Sequence, residues 1–245
     1  MREELAGSPE WREDRERARS VLAARQDRSR AFFSASADRW DALRGDLYGA
    51  RADLLPLFGL LEPDWVVGDL GCGTGQLAAA LAPFVARVVA VDRSPEMLAA
   101  ARDRLAGLDN VELREGELEA LPLEDATLGL AVVSLVLHFV GSPGEALAEA
   151  ARVLAPGGRL VVVDMRPHGR EGYREEMGHV WPGFSGERLL GWMEDAGLEG
   201  ARVHPIPPDP QAKGPLLFVA HARRPMAGGP DGGGRLESKR PALNR

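Results

Sequence analysis

The sequence predicts an α/β protein built on a doubly wound, Rossmann-like sheet, and three observations predict it. From residue 65 onward, short apolar strand candidates alternate with helices that carry clear start signals. The runs VVAV (88–91) and VVV (161–163) are apolar at successive positions, as in strands buried on both faces of a parallel sheet. The first strand candidate runs directly into a glycine-rich turn, residues 71–75. Repeated strand–helix alternation of this kind requires right-handed crossovers and hence a parallel core.

The elements follow in order. Residues 1–30 are dense in alternating Arg and Glu/Asp and read as a charged tail or an exposed helix. Over 31–62 apolar residues return at helical spacing, among them Phe32, Phe33, Trp40 and Tyr48. This predicts two or three helices forming an N-terminal cap, with Pro63 as the stop. These aromatics either line a lid over the ligands or attach the helices to the sheet. Strands are expected at 65–69, 87–91, 111–114, 128–134 and 159–163. Helices start at Ser94-Pro95-Glu96, at Ser142-Pro143-Gly144-Glu145 as a capping box, and at Ser185 with Gly197 at the far end. Two further strands, 199–204 and 216–221, joined by the proline-rich 205–214, predict a hairpin at one sheet edge. The domain is thus expected to end near residue 222. Residues 223–245, rich in Gly, Pro and Arg, are expected to be disordered.

Composition narrows the function. A chain of 245 residues accommodates one domain with appendages. Its formal net charge of −7 argues against a nucleic-acid partner, which would call for concentrated Lys and Arg. The single cysteine, Cys72, excludes an internal disulfide and a thiolate metal site, so no metal is expected and a reducing cytoplasm is the default. The longest apolar run, 128–140, is too short to span a bilayer. Oligomeric state is not encoded in any pattern recognised here.

The segment VVGDLGCGTGQLAAAL (66–81) is strand, glycine turn and helix, placed at the carboxyl edge where doubly wound sheets bind ligands. A dinucleotide fingerprint needs Gly-x-Gly-x-x-Gly/Ala. Gly71 and Gly73 fit, but the third position is Gln76, and the extra glycine falls at Gly75. Asp69 precedes the turn, and a carboxylate there would repel a pyrophosphate but attract an ammonium or a sulfonium. S-adenosylmethionine carries both cations. Asp92 closes the second strand, where a carboxylate accepts hydrogen bonds from ribose hydroxyls. Because Ser94 already supplies the helix cap, Asp92 is expected to be free for that role.

DLGCGTG (69–75), VDRSPEMLAAAR (91–102), GELEALPLEDATLGLAVVSLVLHFV (116–140) and RVLAPGGRLVVVD (152–164) resemble the successive motifs of class I, type-11 or menaquinone/ubiquinone-biosynthesis-like methyltransferases. The resemblance implies a seven-stranded sheet with its last strand antiparallel, with S-adenosylmethionine as cofactor. It implies a cofactor site of Asp69, Gly71, Cys72, Gly73, Gly75, Asp92, Arg93 and Met97, with Glu117 and Leu118 at the adenine and Ser134 at the methionine end. The departure is Leu128-Gly129-Leu130, where relatives carry a Phe-Asp pair. The flanks 20–49 and 179–198 are similar to the methyltransferase half of bacterial proteins fused to an ArsR-type winged-helix repressor, although no winged helix is present.

Methyl transfer rests on alignment and desolvation, and a base is needed only for a poor nucleophile such as a hydroxyl or an activated carbon. The candidates lie at strand ends: His138 after the fourth strand, Asp164 and Tyr173 after the fifth, with His168 and His179 nearby. A buried structural imidazole is the rival reading of His138. The single cysteine argues against arsenic methylation and against Cys72 as a nucleophile. The expectation is an enzyme that methylates a small-molecule acceptor. A non-catalytic cofactor-binding module, or a nicotinamide-dependent oxidoreductase, is the alternative.

Overall fold

The computed structural model describes residues 9–48, 54–170, 172–209 and 211–226. Two compact units divide the chain between Leu60 and Leu61. In the first, α1 (Pro9–Ser36) is a 28-residue helix that runs unbroken past residue 30. Its surface carries exposed i,i+3 and i,i+4 ion pairs such as Arg17 with Asp14 and Glu13, which are worth little in water. A 3-10 turn at Ala37–Arg39 leads into α2 (Trp40–Tyr48), where Trp40 meets Phe33 edge-on at 4.9 Å. A short α3 (Leu55–Phe58) completes the described part. No described helix is long and apolar enough to cross a membrane.

The second unit holds the sheet. Its strands are β1 (Val66–Leu70), β2 (Arg87–Asp92), β3 (Val111–Glu115), β4 (Leu128–Ser134), β5 (Leu154–Met165), β6 (Glu199–Pro205) and β7 (Leu217–Arg223). The order is β3-β2-β1-β4-β5-β7-β6. The first five strands are parallel, while β7 runs antiparallel to both β5 and β6. The predicted hairpin exists, with β7 inserted beside β5 and β6 at the edge. Order reverses between β1 and β4, which opens a crevice at their carboxyl ends.

Five helices join these strands: α4 (Gln76–Leu81), α5 (Pro95–Arg104), α6 (Pro143–Val153), α7 (Gly172–Met177) and α8 (Gly186–Asp195). Ser94 and Ser185 cap as their positions predict, accepting from the Met97 and Arg188 amides. Ser142 does not: its side chain makes no cap bond, and its amide donates to Glu119 Oε1 at 3.2 Å. A long-range carboxylate has displaced the local capping box there. Helix α6 buries Pro143, Ala146, Leu147, Ala150, Ala151 and Val153, the spacing of one apolar stripe. That stripe, with Leu189 and Met193 of α8, belongs to a core centred on Leu128, Leu154, Leu160 and Val162.

Two boundaries moved for tertiary reasons. β5 begins five residues before 159, because Leu154 pairs with Leu128 across a register shift and the Gly157 amide donates to Arg224 O. β7 continues to Arg223, and the Arg224 amide donates back to Gly158 O, so the expected disordered tail does not begin at 223. Residues 227–245 lie outside the described residues. The Gly129 departure also acquires a reason: a Cβ there would sit 2.7 Å from the Trp65 ring. The position lies within β4, and Trp65 covers it.

Candidate functional site

The glycine turn 71–75 is anchored from beneath. The Gly71 and Cys72 amides both donate to Val91 O, which ties the turn to β2. Gly71 and Gly73 have φ of +79° and +53°, in the left-handed region that glycine occupies without strain. A Cβ on Gly71 would lie 2.5 Å from Val136 Cγ2, whereas one on Gly73 would meet nothing within 4 Å. One glycine lets β1 and the post-β4 segment touch, and the other leaves open space above the backbone.

Asp92 is buried at the end of β2 and is already engaged. Its Oδ2 accepts from the Gly73 amide at 2.8 Å, and its Oδ1 accepts from the Ser94 amide at 2.9 Å. The expectation of a free carboxylate is therefore corrected: Asp92 organises the turn. Each oxygen retains a lone pair for a further donor, so the same carboxylate can hold the turn and receive a diol.

Asp69 lies behind the turn. It is buried, and its Oδ2 accepts from the Ala78 amide in α4 at 3.0 Å. Burial, aided by the nearby Asp92 charge, pushes its carboxyl up to about 7. Its attraction for a cation near neutral pH is thus weaker than that of a full charge. Between the ordinary carboxylate range and pH 7 the folded state binds the extra proton, so this group's contribution to stability falls as pH rises through that window. The expected result is that Asp69→Asn removes a stability loss of up to about 4 kcal/mol between pH 4 and pH 8. Chemical denaturation of both proteins across that range measures it, and parallel curves would refute the assignment. Cys72 is buried in the same place, and burial pushes its thiol up to about 12. It stays protonated and is no nucleophile.

A cavity of about 290 Å³ opens over this turn, lined by Gly71, Gly73, Asp92, Arg93 and Met97 on one side. Glu117 and Leu118 close a second side, with Arg93 and Glu117 3.9 Å apart at the rim. Seven of the expected cofactor residues therefore line one space. Asp69, Cys72, Gly75 and Ser134 do not line it. The third wall comes from Leu135, Val136, Phe139 and Val140, which sequence reading located only as the residues following Ser134. Leu135 has φ +54°, a strained conformation for a branched side chain. Its amide donates to Val163 O at 2.8 Å, which holds it there. The cavity suits S-adenosylmethionine: a carboxylate for the ribose, apolar side chains for the adenine, and an open glycine backbone.

Beyond Val136 a 3-10 turn, Leu137–Phe139, carries His138. Its Nδ1 lies 2.8 Å from Asp164 Oδ1 at the end of β5, and both side chains are buried. The same oxygen accepts from the Met165 amide. A carboxylate only accepts, so Nδ1 carries the proton and Nε2 keeps its lone pair. Tyr173 lies elsewhere, its ring 5.2 Å from His179 and 5.5 Å from His168. His179 in turn lies 4.4 Å from His138. Two of the three catalytic candidates thus form one pair, and the third joins a neighbouring aromatic cluster.

This architecture, a parallel core with a reversed β7 and a glycine-turn cavity at the order reversal, is that of the class I methyltransferase fold. A family model for a methyltransferase domain matches residues 68–162. The chain is 42% identical over 118 residues to a demethylmenaquinone methyltransferase of Clavibacter sepedonicus, covering 46% of this chain and 48% of that one. It is 33% identical over 156 residues to a malonyl-[acyl-carrier protein] O-methyltransferase of Serratia marcescens, covering 64% and 58%. The matched stretches span less than two thirds of either relative. Among solved structures it is similar to a SAM-dependent methyltransferase from Aquifex aeolicus, with TM-score 0.57 and 26% identity, covering 74% of this chain and 92% of that one. Residues 68–162 thus match a methyltransferase domain, within the fold of the class I S-adenosylmethionine-dependent methyltransferases.

Proposed function

We propose that the chain is a methyltransferase that methylates an oxygen of a small-molecule acceptor, with His138 as general base and Asp164 as its positioning partner. The buried His138–Asp164 pair carries the proposal. An acceptor amine or thiol would need no such base, whereas a hydroxyl does. Relatives named for small acceptors, among them the demethylmenaquinone enzyme, support a small-molecule substrate.

Bound in the glycine-turn cavity, S-adenosylmethionine supplies a methyl carbon on a sulfonium, already a good leaving group. Asp92, which holds the turn, would also receive the ribose, and Leu118, Leu135 and Val136 would exclude water. Phe139 lines the cofactor cavity and packs on both His138 (4.2 Å) and His179 (4.9 Å), which sets the base next to a wall of that cavity. His138 Nε2 takes the proton from the acceptor oxygen. The Asp164 carboxylate then faces the imidazolium that results and steadies its charge.

The test is titration with S-adenosylmethionine, S-adenosylhomocysteine and NADH, then incubation with methyl-labelled donor and small-molecule extracts. Binding of NADH alone, or binding without any labelled product, would overturn the proposal. Asp92→Ala is expected to weaken S-adenosylmethionine binding by about 1–3 kcal/mol. Asp92→Asn, which keeps one acceptor oxygen, should lose less. Calorimetry reads both, and an unchanged affinity would remove Asp92 from the site.

A further inference from the structure

A second cavity, about 440 Å³, is lined by His179, whose ring lies 4.4 Å from that of His138. His168, Tyr173, His179 and Trp181 form its aromatic wall, with Arg170 and Arg174 at its edge. Two nitrogens here, His168 Nε2 and His179 Nδ1, are buried without a hydrogen-bond partner among the described residues. His179 itself is 6% exposed. Buried polar atoms left unpaired cost free energy, and a well-formed fold rarely keeps two side by side without a use for them.

Their protonation can be read from the bonds around them. His168 Nδ1 accepts the Arg170 amide at 3.2 Å, so in the neutral ring the proton sits on Nε2, the unpartnered atom. Burial lowers the proton affinity of both rings; Arg170 and His138 lower that of His168 further, and His138 and His168 that of His179, against an opposing pull from Asp164. Both shifts favour the neutral ring. His168 offers a donor on the cavity wall, and His138 offers an acceptor at Nε2 from behind it, in ring contact with the wall residue His179 (4.4 Å), which lies closer to it than to His168 (6.5 Å). Tyr173 is fixed in this wall by Arg170, whose guanidinium donates to the Tyr173 hydroxyl at 2.8 Å and to Lys213 O at 2.5 Å.

Resting on the methyltransferase reading, we infer that this cavity is the acceptor site and that it selects a planar hydroxyaryl ring bearing a second oxygen. The ring stacks within the aromatic wall. One hydroxyl donates to His138 Nε2, and the second oxygen accepts from His168 Nε2–H and pairs with His179 Nδ1. An acceptor with one oxygen leaves the second pair of nitrogens unsatisfied, and a non-planar acceptor forfeits the aromatic contacts.

The test uses the full chain saturated with S-adenosylhomocysteine and a panel of simple probes: catechol, resorcinol, phenol and cyclohexane-1,2-diol, followed by calorimetry and Trp fluorescence. One of the two-oxygen aryl probes is expected to bind about tenfold or more tighter than phenol, consistent with one added buried hydrogen bond, and the diol is expected not to compete. His168→Phe and His179→Phe should reduce that probe to the affinity of phenol while leaving S-adenosylhomocysteine binding intact. His168→Gln, which keeps an N–H donor, should retain most of it. Equal affinities across the panel, no aryl binding, or variants that bind the two-oxygen probe as the parent does would overturn the inference. If S-adenosylhomocysteine itself fails to bind, the methyltransferase reading falls instead, and the aryl titration without it still decides whether the cavity selects such rings.

Discussion

His138→Gln is expected to lower the methyl-transfer rate by about 10²–10⁴-fold, the contribution of a positioned general base, with affinity for S-adenosylhomocysteine unchanged. The separation is expected because His138 does not line the cofactor cavity, although its neighbours Phe139 and Val140 do. Asp164→Asn tests the second half of the pair. Its amide oxygen can still accept from Nδ1–H and from the Met165 amide, so geometry survives, but the charge that steadies an imidazolium is lost. The expected rate lies between those of the parent and His138→Gln. Single-turnover assays with the identified acceptor, beside calorimetry with S-adenosylhomocysteine, make the comparison. Equal loss of rate and cofactor affinity in His138→Gln would mean that this imidazole is structural.

Gly71→Ala should have the largest effect on the protein itself. The methyl group would meet Val136 Cγ2 at 2.5 Å and Cγ1 at 2.7 Å, and a left-handed conformation at a residue with a side chain costs about 1–2 kcal/mol. Overpacking adds about 1–3 kcal/mol, and cofactor binding should fall with stability. Gly73→Ala separates the two effects. Nothing stands within 4 Å of its Cβ, so stability should fall only by the left-handed cost of about 1–2 kcal/mol while the methyl group intrudes on the cofactor cavity. Adding Val136→Ala to Gly71→Ala should return part of the lost stability. Urea denaturation of the four proteins, with cofactor titration, reads each component. Equal stability loss in the two glycine variants would contradict the contact with Val136.

Much of the fold was legible because its signals are local. The β-branched runs at 88–91 and 161–163, the caps at Ser94 and Ser185, and the glycine turn each occupy a few consecutive residues. The misreadings occurred where a distant group intervened. Ser142 has the residues of a capping box, but Glu119 takes its amide. Asp92 is left free by a local reading because Ser94 caps the helix, yet the Gly73 and Ser94 amides reach both of its oxygens. The fifth strand is expected only from 159, and the pairing of Leu154 with Leu128 and the Gly157 bond to Arg224 extend it back to 154.

The sequence by itself determined the strand–helix alternation, the glycine turn and the class of cofactor, since each depends on spacing within one or two turns of chain. Tertiary structure decided which candidates act together. His138 and Asp164 are 26 residues apart and meet because β4 and β5 are parallel neighbours whose carboxyl ends lie side by side. His168 and His179 enter the same neighbourhood when the segment after β5 folds back, with the Val180 and Trp181 amides donating to His138 O. A side chain's partners are set by crossovers and long-range hydrogen bonds, and those are the interactions that local residue patterns do not record.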